Sequence, residues 1–239
     1  MRILFFLCLF CACATSRPQA TTESVDFYLD PLGKAYFLLG DGQLITSNPL
    51  GQNTFNFFDS SLGAPDVIDV TNNFAILLYY ADYATVVVLD RTLNEISRLD
   101  FFEFEAIEQP TTLARATDNG IWLFDSWDYR LKLIDQRGNI SQQSNDLRLS
   151  IKAVEAPDRI YVYQNLVLLY YQEDAKLAIF TNYGRFDRWV TLPAAEQFGY
   201  HDGRLLGQTE EELWVWDIRT LRVKRAEGLE EPRTQVQWE

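Results

Sequence analysis

Three stretches of this 239-residue chain lie over one another without a gap: LLYYADYATVVVLDRTLN from Leu77, WLFDSWDYRLKLIDQRGN from Trp122 and LLYYQEDAKLAIFTNYGR from Leu168. Each reads as an apolar strand, a polar loop, a second apolar strand and a turn. Shorter versions begin at Leu38 and Leu205, so the starting points are 39, 45, 46 and 37 residues apart. A supersecondary unit repeated at such a period cannot bury its apolar faces alone and must stack on its own copies.

Each hairpin is flanked by two further strand candidates, rich in β-branched and aromatic residues and bounded by Gly, Asn, Asp or Pro. Five units of four strands result: VDFYLD, AYFLLG, QLITSN and TFNFFD; VIDVT, FAILLYY, TVVVLD and EISRLDF; TLARATD, GIWLFD, RLKLID and ISQQSN; RIYVYQ, LVLLYY, KLAIFTN and DRWVTL; QFGYHD, RLLGQT, ELWVWD and LRVKRA. Second strands such as AILLYY and LVLLYY are apolar on both faces, as strands are when sheets cover them from two sides. Third strands end in Asn48, Asp90, Asp135 and Asp217 ahead of a turn, where a short polar side chain bonds the turn backbone.

ELWVWDIRTLR (Glu212 to Arg222) is similar to the third strand and turn of WD-repeat blades, with Trp216-Asp217 as the WD dipeptide. The whole pattern resembles the PQQ-like, NHL and WD β-propellers. That resemblance implies an all-β fold of about five four-stranded antiparallel blades over residues 25–226, with radial repetition protecting most sheet edges. A smaller sandwich or barrel of repeated hairpins is the competing architecture. Propellers host many unrelated functions, so the resemblance carries no activity with it.

The first fourteen residues, MRILFFLCLFCACA, are too short an apolar run to span a bilayer and read as a secretory signal. Two outcomes are open. Cys13 is the lipidated first residue of a bacterial lipoprotein, with 15–24 as a polar tether, or cleavage after Ala14 releases a plain secreted protein. All three cysteines, Cys8, Cys11 and Cys13, lie in this segment, so the mature domain is expected to hold no disulfide and no thiolate site. Residues 227–239 read as an acidic C-terminal tail.

A net charge of −13 excludes a nucleic-acid binder, which needs a basic surface to displace counterions. It suits solubility and attraction of basic partners. The single histidine, His201 in GYHDGR, rules out a His-rich zinc site, and no G-x-S-x-G elbow is present. DSWD (125–128) and TDNG (117–120) lack EF-hand spacing and read as turns. No motif calls for a metal or a cofactor. Five-bladed glycoside hydrolases use paired carboxylates at the central tunnel. Among 34 acidic residues pairs arise by chance, so cleavage of carbohydrate stays an alternative.

The loops inside the hairpins are more informative. They contain Asp82 and Tyr83, then Asp125, Trp127, Asp128 and Tyr129, then Glu173 and Asp174, then Glu210 and Glu211 beside Glu212. Propeller connectivity sends these loops to one rim, together with the connection FEFEAIEQP and its Glu103, Glu105 and Glu108. An acidic, aromatic face is expected there, anchored by Trp127 and Tyr83. The opposite rim carries Arg91, Arg137, Arg185 and Arg219. The expected function is that of a non-enzymatic scaffold binding proteins of the bacterial envelope, periplasmic or outer-membrane-anchored and touching membrane only through a lipid anchor. A carbohydrate-binding or carbohydrate-cleaving module is the alternative.

Overall fold

Central strands buried on both faces organise the molecule. The computed structural model describes residues 24–48, 50, 54–210 and 212–226. They form five four-stranded antiparallel sheets, each with its strands in chain order. Blade I holds β1 (Ser24–Leu29), β2 (Ala35–Leu39), β3 (Leu44–Ser47) and β4 (Thr54–Phe57). Blade II holds β5 (Val67–Asp69), β6 (Ile76–Tyr80), β7 (Thr85–Leu89) and β8 (Glu95–Asp100). Blade III holds β9 (Pro110–Arg115), β10 (Ile121–Asp125), β11 (Arg130–Ile134) and β12 (Ile140–Gln143). Blade IV holds β13 (Arg159–Tyr163), β14 (Leu166–Tyr171), β15 (Lys176–Thr181) and β16 (Phe186–Thr191). Blade V holds β17 (Gln197–His201), β18 (Arg204–Gln208), β19 (Leu213–Asp217) and β20 (Arg222–Ala226). The first strands of successive blades stand side by side, β9 between β5 and β13. This is a five-bladed β-propeller, as the period implied. The signal at 1–14, Cys13, the tether expected at 15–24 except Ser24, which opens β1, and the tail at 227–239 lie outside the described residues.

The period-2 alternation of a strand explains why the second strands are apolar throughout. Along β6, Ile76, Leu78 and Tyr80 enter the core shared with blade I, while Leu77 and Tyr79 enter the core shared with blade III. Along β10, Ile121 and Leu123 face blade II, and Trp122 and Phe124 face blade IV. Val167, Leu169 and Tyr171 of β14 complete the blade III–IV seam, and Leu168 and Tyr170 face blade V. Trp214 and Trp216 fill that last seam. Gly207 makes room for the indole of Trp214, since a Cβ there would lie 2.1 Å from the ring.

Two columns of the repeat carry the same backbone device. Ala84, Tyr129 and Ala175, at one position of the three aligned hairpins, all have positive φ (45°, 61° and 48°). So do Leu93, Gly138, Gly184 and Leu221, sixteen residues after Leu77, Trp122, Leu168 and Leu205. Both bends leave the sheet in the same geometry whatever the side chain. Each blade therefore has two unlike ends. One, the turn end, has the first–second and third–fourth turns. The other, the loop end, has the second–third loops and the connections between blades.

Candidate functional site

The loop end of blades II and III is built on one buried ion pair. Asp125 closes β10 and its side chain is fully buried. Its carboxylate accepts backbone N–H groups from Glu108 (3.0 Å), Gln109 (3.0 Å) and Trp127 (3.1 Å). Lys132 of β11 lies on the same side of the sheet, and its ammonium reaches Asp125 Oδ2 at 2.7 Å, Asp128 Oδ2 at 2.9 Å and the Ala106 carbonyl at 3.0 Å. All three ammonium donors are thereby used. Burial alone would raise the Asp125 pKa. The Lys132 ammonium and the three backbone donors outweigh burial and hold it below the usual carboxylate range.

This corrects the expectation that Asp125 belongs to an exposed face: it is a buried clamp fixing the connection 101–109 onto blade III. Tyr129 is likewise not a surface anchor. Its ring packs edge-on against Phe124 at 5.0 Å in the blade III–IV core, under the Arg148 guanidinium, 4.8 Å from the ring centroid. Its backbone carbonyl accepts Leu147 N–H at 2.9 Å, securing the short helix α1 (Leu147–Ser150).

Trp127, next to Asp128 and two residues from Asp125, is 64% exposed. Tyr83, in the 3-10 turn Ala81–Tyr83, is 47% exposed, with Asp82 beside it. The second 3-10 turn, Phe101–Glu103, is tied to the first by Phe101 N–H on the Ala84 carbonyl at 2.9 Å. It buries Phe101 and leaves Phe102 74% exposed. Ser126 N–H in turn meets the Gln109 carbonyl at 2.9 Å. The three aromatic rings thus project from loops hydrogen-bonded to one another. Asp128 is half-buried and shared between Lys132 and, at 3.9 Å, Arg130. Glu173, Asp174 and Glu210 are exposed in the loops of blades IV and V, Asp174 paired with Lys176. Glu211 lies outside the described residues.

Lys132 and Phe102 were missed in the sequence. Lys132 sits mid-strand in an alternating segment, where a lysine reads as solvent-facing. The charge of WDYRLK was the only available signal. Phe102 follows Phe101 directly, and nothing local separates the buried ring from the exposed one.

At the turn end, Asp90 Oδ1 accepts Thr92 N–H, the Thr92 hydroxyl and Asn94 N–H at 2.7–2.9 Å. Asp135 does the same for Arg137 and Asn139 (2.8 and 2.9 Å), and Asp217 for Arg219 (2.8 Å). Arg91, Arg137, Arg185 and Arg219 all lie in these turns. The carboxylates of the first strands are also spent within the chain. Asp69 takes Thr71 N–H, the Thr71 hydroxyl and Arg115 N–H, and Asp26 takes Phe27 N–H and the Tyr28 hydroxyl.

No protein-family model matches the chain, and no curated protein matches it in sequence. Solved structures match in shape: the chain is a β-propeller protein by fold. A streptogramin B lyase superposes with a TM-score of 0.58 at 12% identity, over 87% of this chain and 70% of its own. The Pan2 WD40 domain of Neurospora crassa gives 0.55 at 8% identity, over 85% of this chain and 65% of its own. A chain of a nidogen/laminin complex gives 0.55 at 11%, over 80% of this chain and 74% of its own. The set spans an enzyme and propellers of other kinds, and at these identities the likeness is one of fold.

Proposed function

We propose that this propeller is a non-enzymatic interaction protein of the bacterial envelope, exported through its N-terminal signal and held by lipid on Cys13. Its loop end receives a basic partner protein. The observation that carries this reading is the projection of Tyr83, Phe102 and Trp127 from loops hydrogen-bonded to one another, two of them held by Lys132 and Asp125. Exposed aromatic side chains on rigid supports supply contact area at low entropic cost, and such residues dominate binding energy at protein interfaces. Asp82, Glu103, Glu105 and Glu108 around them favour cationic partners and speed their approach. The nidogen/laminin structure offers a propeller fold crystallised with a partner protein, which favours protein as the ligand class.

Carbohydrate is the second reading, because an exposed Trp127 beside Asp128 also suits stacking on a sugar. Cleavage is disfavoured by the commitment of Asp26 and Asp69 to hydrogen bonds within the chain. Pull-down from solubilised envelope with the native chain and Trp127→Ala is the test. A partner captured by the first and lost with the second supports the reading, and glycan-array binding with no protein captured replaces it. Incorporation of a fatty-acid analogue at Cys13, or a mature protein beginning at Thr15, decides the anchor.

A further inference from the structure

We infer that blade I carries a self-association surface on its far side, through which two copies of the chain pack blade I against blade I. Four seams of the propeller hold buried cores: I–II, II–III, III–IV and IV–V. Among the described residues no such core joins blade V to blade I. Blade I turns Tyr28, Tyr36, Leu38, Leu44, Phe55 and Phe57 toward blade II. The alternate residues face the other way. In register across the sheet they form the row Phe27, Phe37, Ile45 and Asn56, with Leu29 beside it. Phe27 is 60% exposed, and Leu29 and Phe37 about 40%.

Two features select a second copy as the occupant. In a chain of net charge −13, the outward positions of β1 to β4 hold no charged residue. A two-fold contact brings a surface onto itself, so an uncharged apolar face is self-complementary where a charged one repels. The free face of blade V lacks this property, because Arg204, Asp217 and Arg222 form one of its rows and Lys224 ends another. Packing two sheets face to face is also what every other seam of this molecule does. The size sets the strength. Four strands about 4.8 Å apart and about 17 Å long give a face of about 300 Å² per copy. Leu32 and Leu50, both largely exposed, extend blade I at its turn end. The total falls below the roughly 1,200 Å² of a stable specific interface, so the dimer is weak and reversible.

Sedimentation equilibrium of the full chain from about 1 µM to 1 mM is the test. The expected result is a monomer–dimer equilibrium that strengthens with salt, as screening removes repulsion between two acidic copies. Binding of a basic partner at the loop end weakens with salt, so the two surfaces are told apart. Phe27→Asp is expected to leave the chain monomeric at every concentration with its melting temperature unchanged. Should that variant fold poorly, Asn56→Asp, at the exposed outer edge of the same row, is expected to weaken the dimer several-fold. Lys224→Glu on blade V is expected to leave it intact. A native chain that stays monomeric throughout overturns the inference. A dimer that survives Phe27→Asp, or is lost with Lys224→Glu, overturns it too.

Discussion

The two ends of the propeller are held together by different kinds of hydrogen bond. At the turn end the carboxylates that close the third strands each serve their own turn: Asp90 bonds residues 92 and 94, and Asp135 bonds 137 and 139. Asp69 alone among the carboxylates described there also reaches Arg115 N–H of the next blade. At the loop end Asp125 reaches back to 108 and 109, and Lys132 to the carbonyl of 106. The third–fourth turns are thus independent local motifs, repeated because the blade repeats. The loop end of blades II and III is one non-local assembly, and Tyr83, Phe102 and Trp127 project from it together. The exposed rings of the turn end, Phe74 and Tyr183, stand instead in the separate turns of blades II and IV.

The largest expected effect breaks that assembly. Lys132→Met leaves Asp125 buried without its counter-charge, at a cost of about 3–5 kcal/mol in denaturant unfolding. Connection 101–109 should then gain fast amide exchange. Trp127→Ala tests presentation rather than support. Partner affinity is expected to fall by about 2 kcal/mol in titration calorimetry, while unfolding free energy moves by less than about 0.5 kcal/mol. Asp90→Ala removes a single local turn and is expected to cost about 1 kcal/mol, with exchange rates at the loop end unchanged. A loss spread to both ends would erase the distinction drawn between them.

Acid sharpens the same contrast. Burial opposes ionisation of Asp90, but the Asn94 backbone and the Thr92 hydroxyl overcome it and bring its pKa to about 2. Asp59 is also near 2, through the Ser61 hydroxyl and Arg98. A carboxylate depressed in the folded state gives stability that is complete above its unfolded pKa, about 3.9. That stability is lost as pH falls through the folded pKa. Stability is therefore expected to hold down to about pH 4 and to decline between about pH 4 and pH 2, with Asp90→Ala flattening part of the decline. The smallest effect is kinetic. Asp82→Asn combined with Glu105→Gln is expected to slow association with a basic partner and flatten its salt dependence, leaving dissociation unchanged.

How much of this was legible in the sequence follows the same division. Strand positions in all five blades agree with the repeat to within three residues, the largest offset being at the end of β9, because alternation and turn residues act over a few neighbours. Trp216-Asp217 also reads correctly: the indole is buried in the blade IV–V core and the carboxylate holds the next turn. Asp125, by contrast, looks like any loop carboxylate in DSWD. Its burial depends on a connection sixteen residues earlier folding back over it. Tyr129 looks like an exposed loop aromatic, but the left-handed bend that recurs at Ala84 and Ala175 sends its ring into the core.

By itself, then, the sequence determined the period, the five four-stranded units and the self-bonded turns, since each depends on contacts within one hairpin. Only the tertiary structure decided which of Phe101 and Phe102 is buried, that Asp125 and Lys132 form an internal clamp, and that no core among the described residues covers one face of blade I. Those outcomes depend on which blade stands next to which. Local propensity has no access to that information, because burial is a property of the neighbour as much as of the residue.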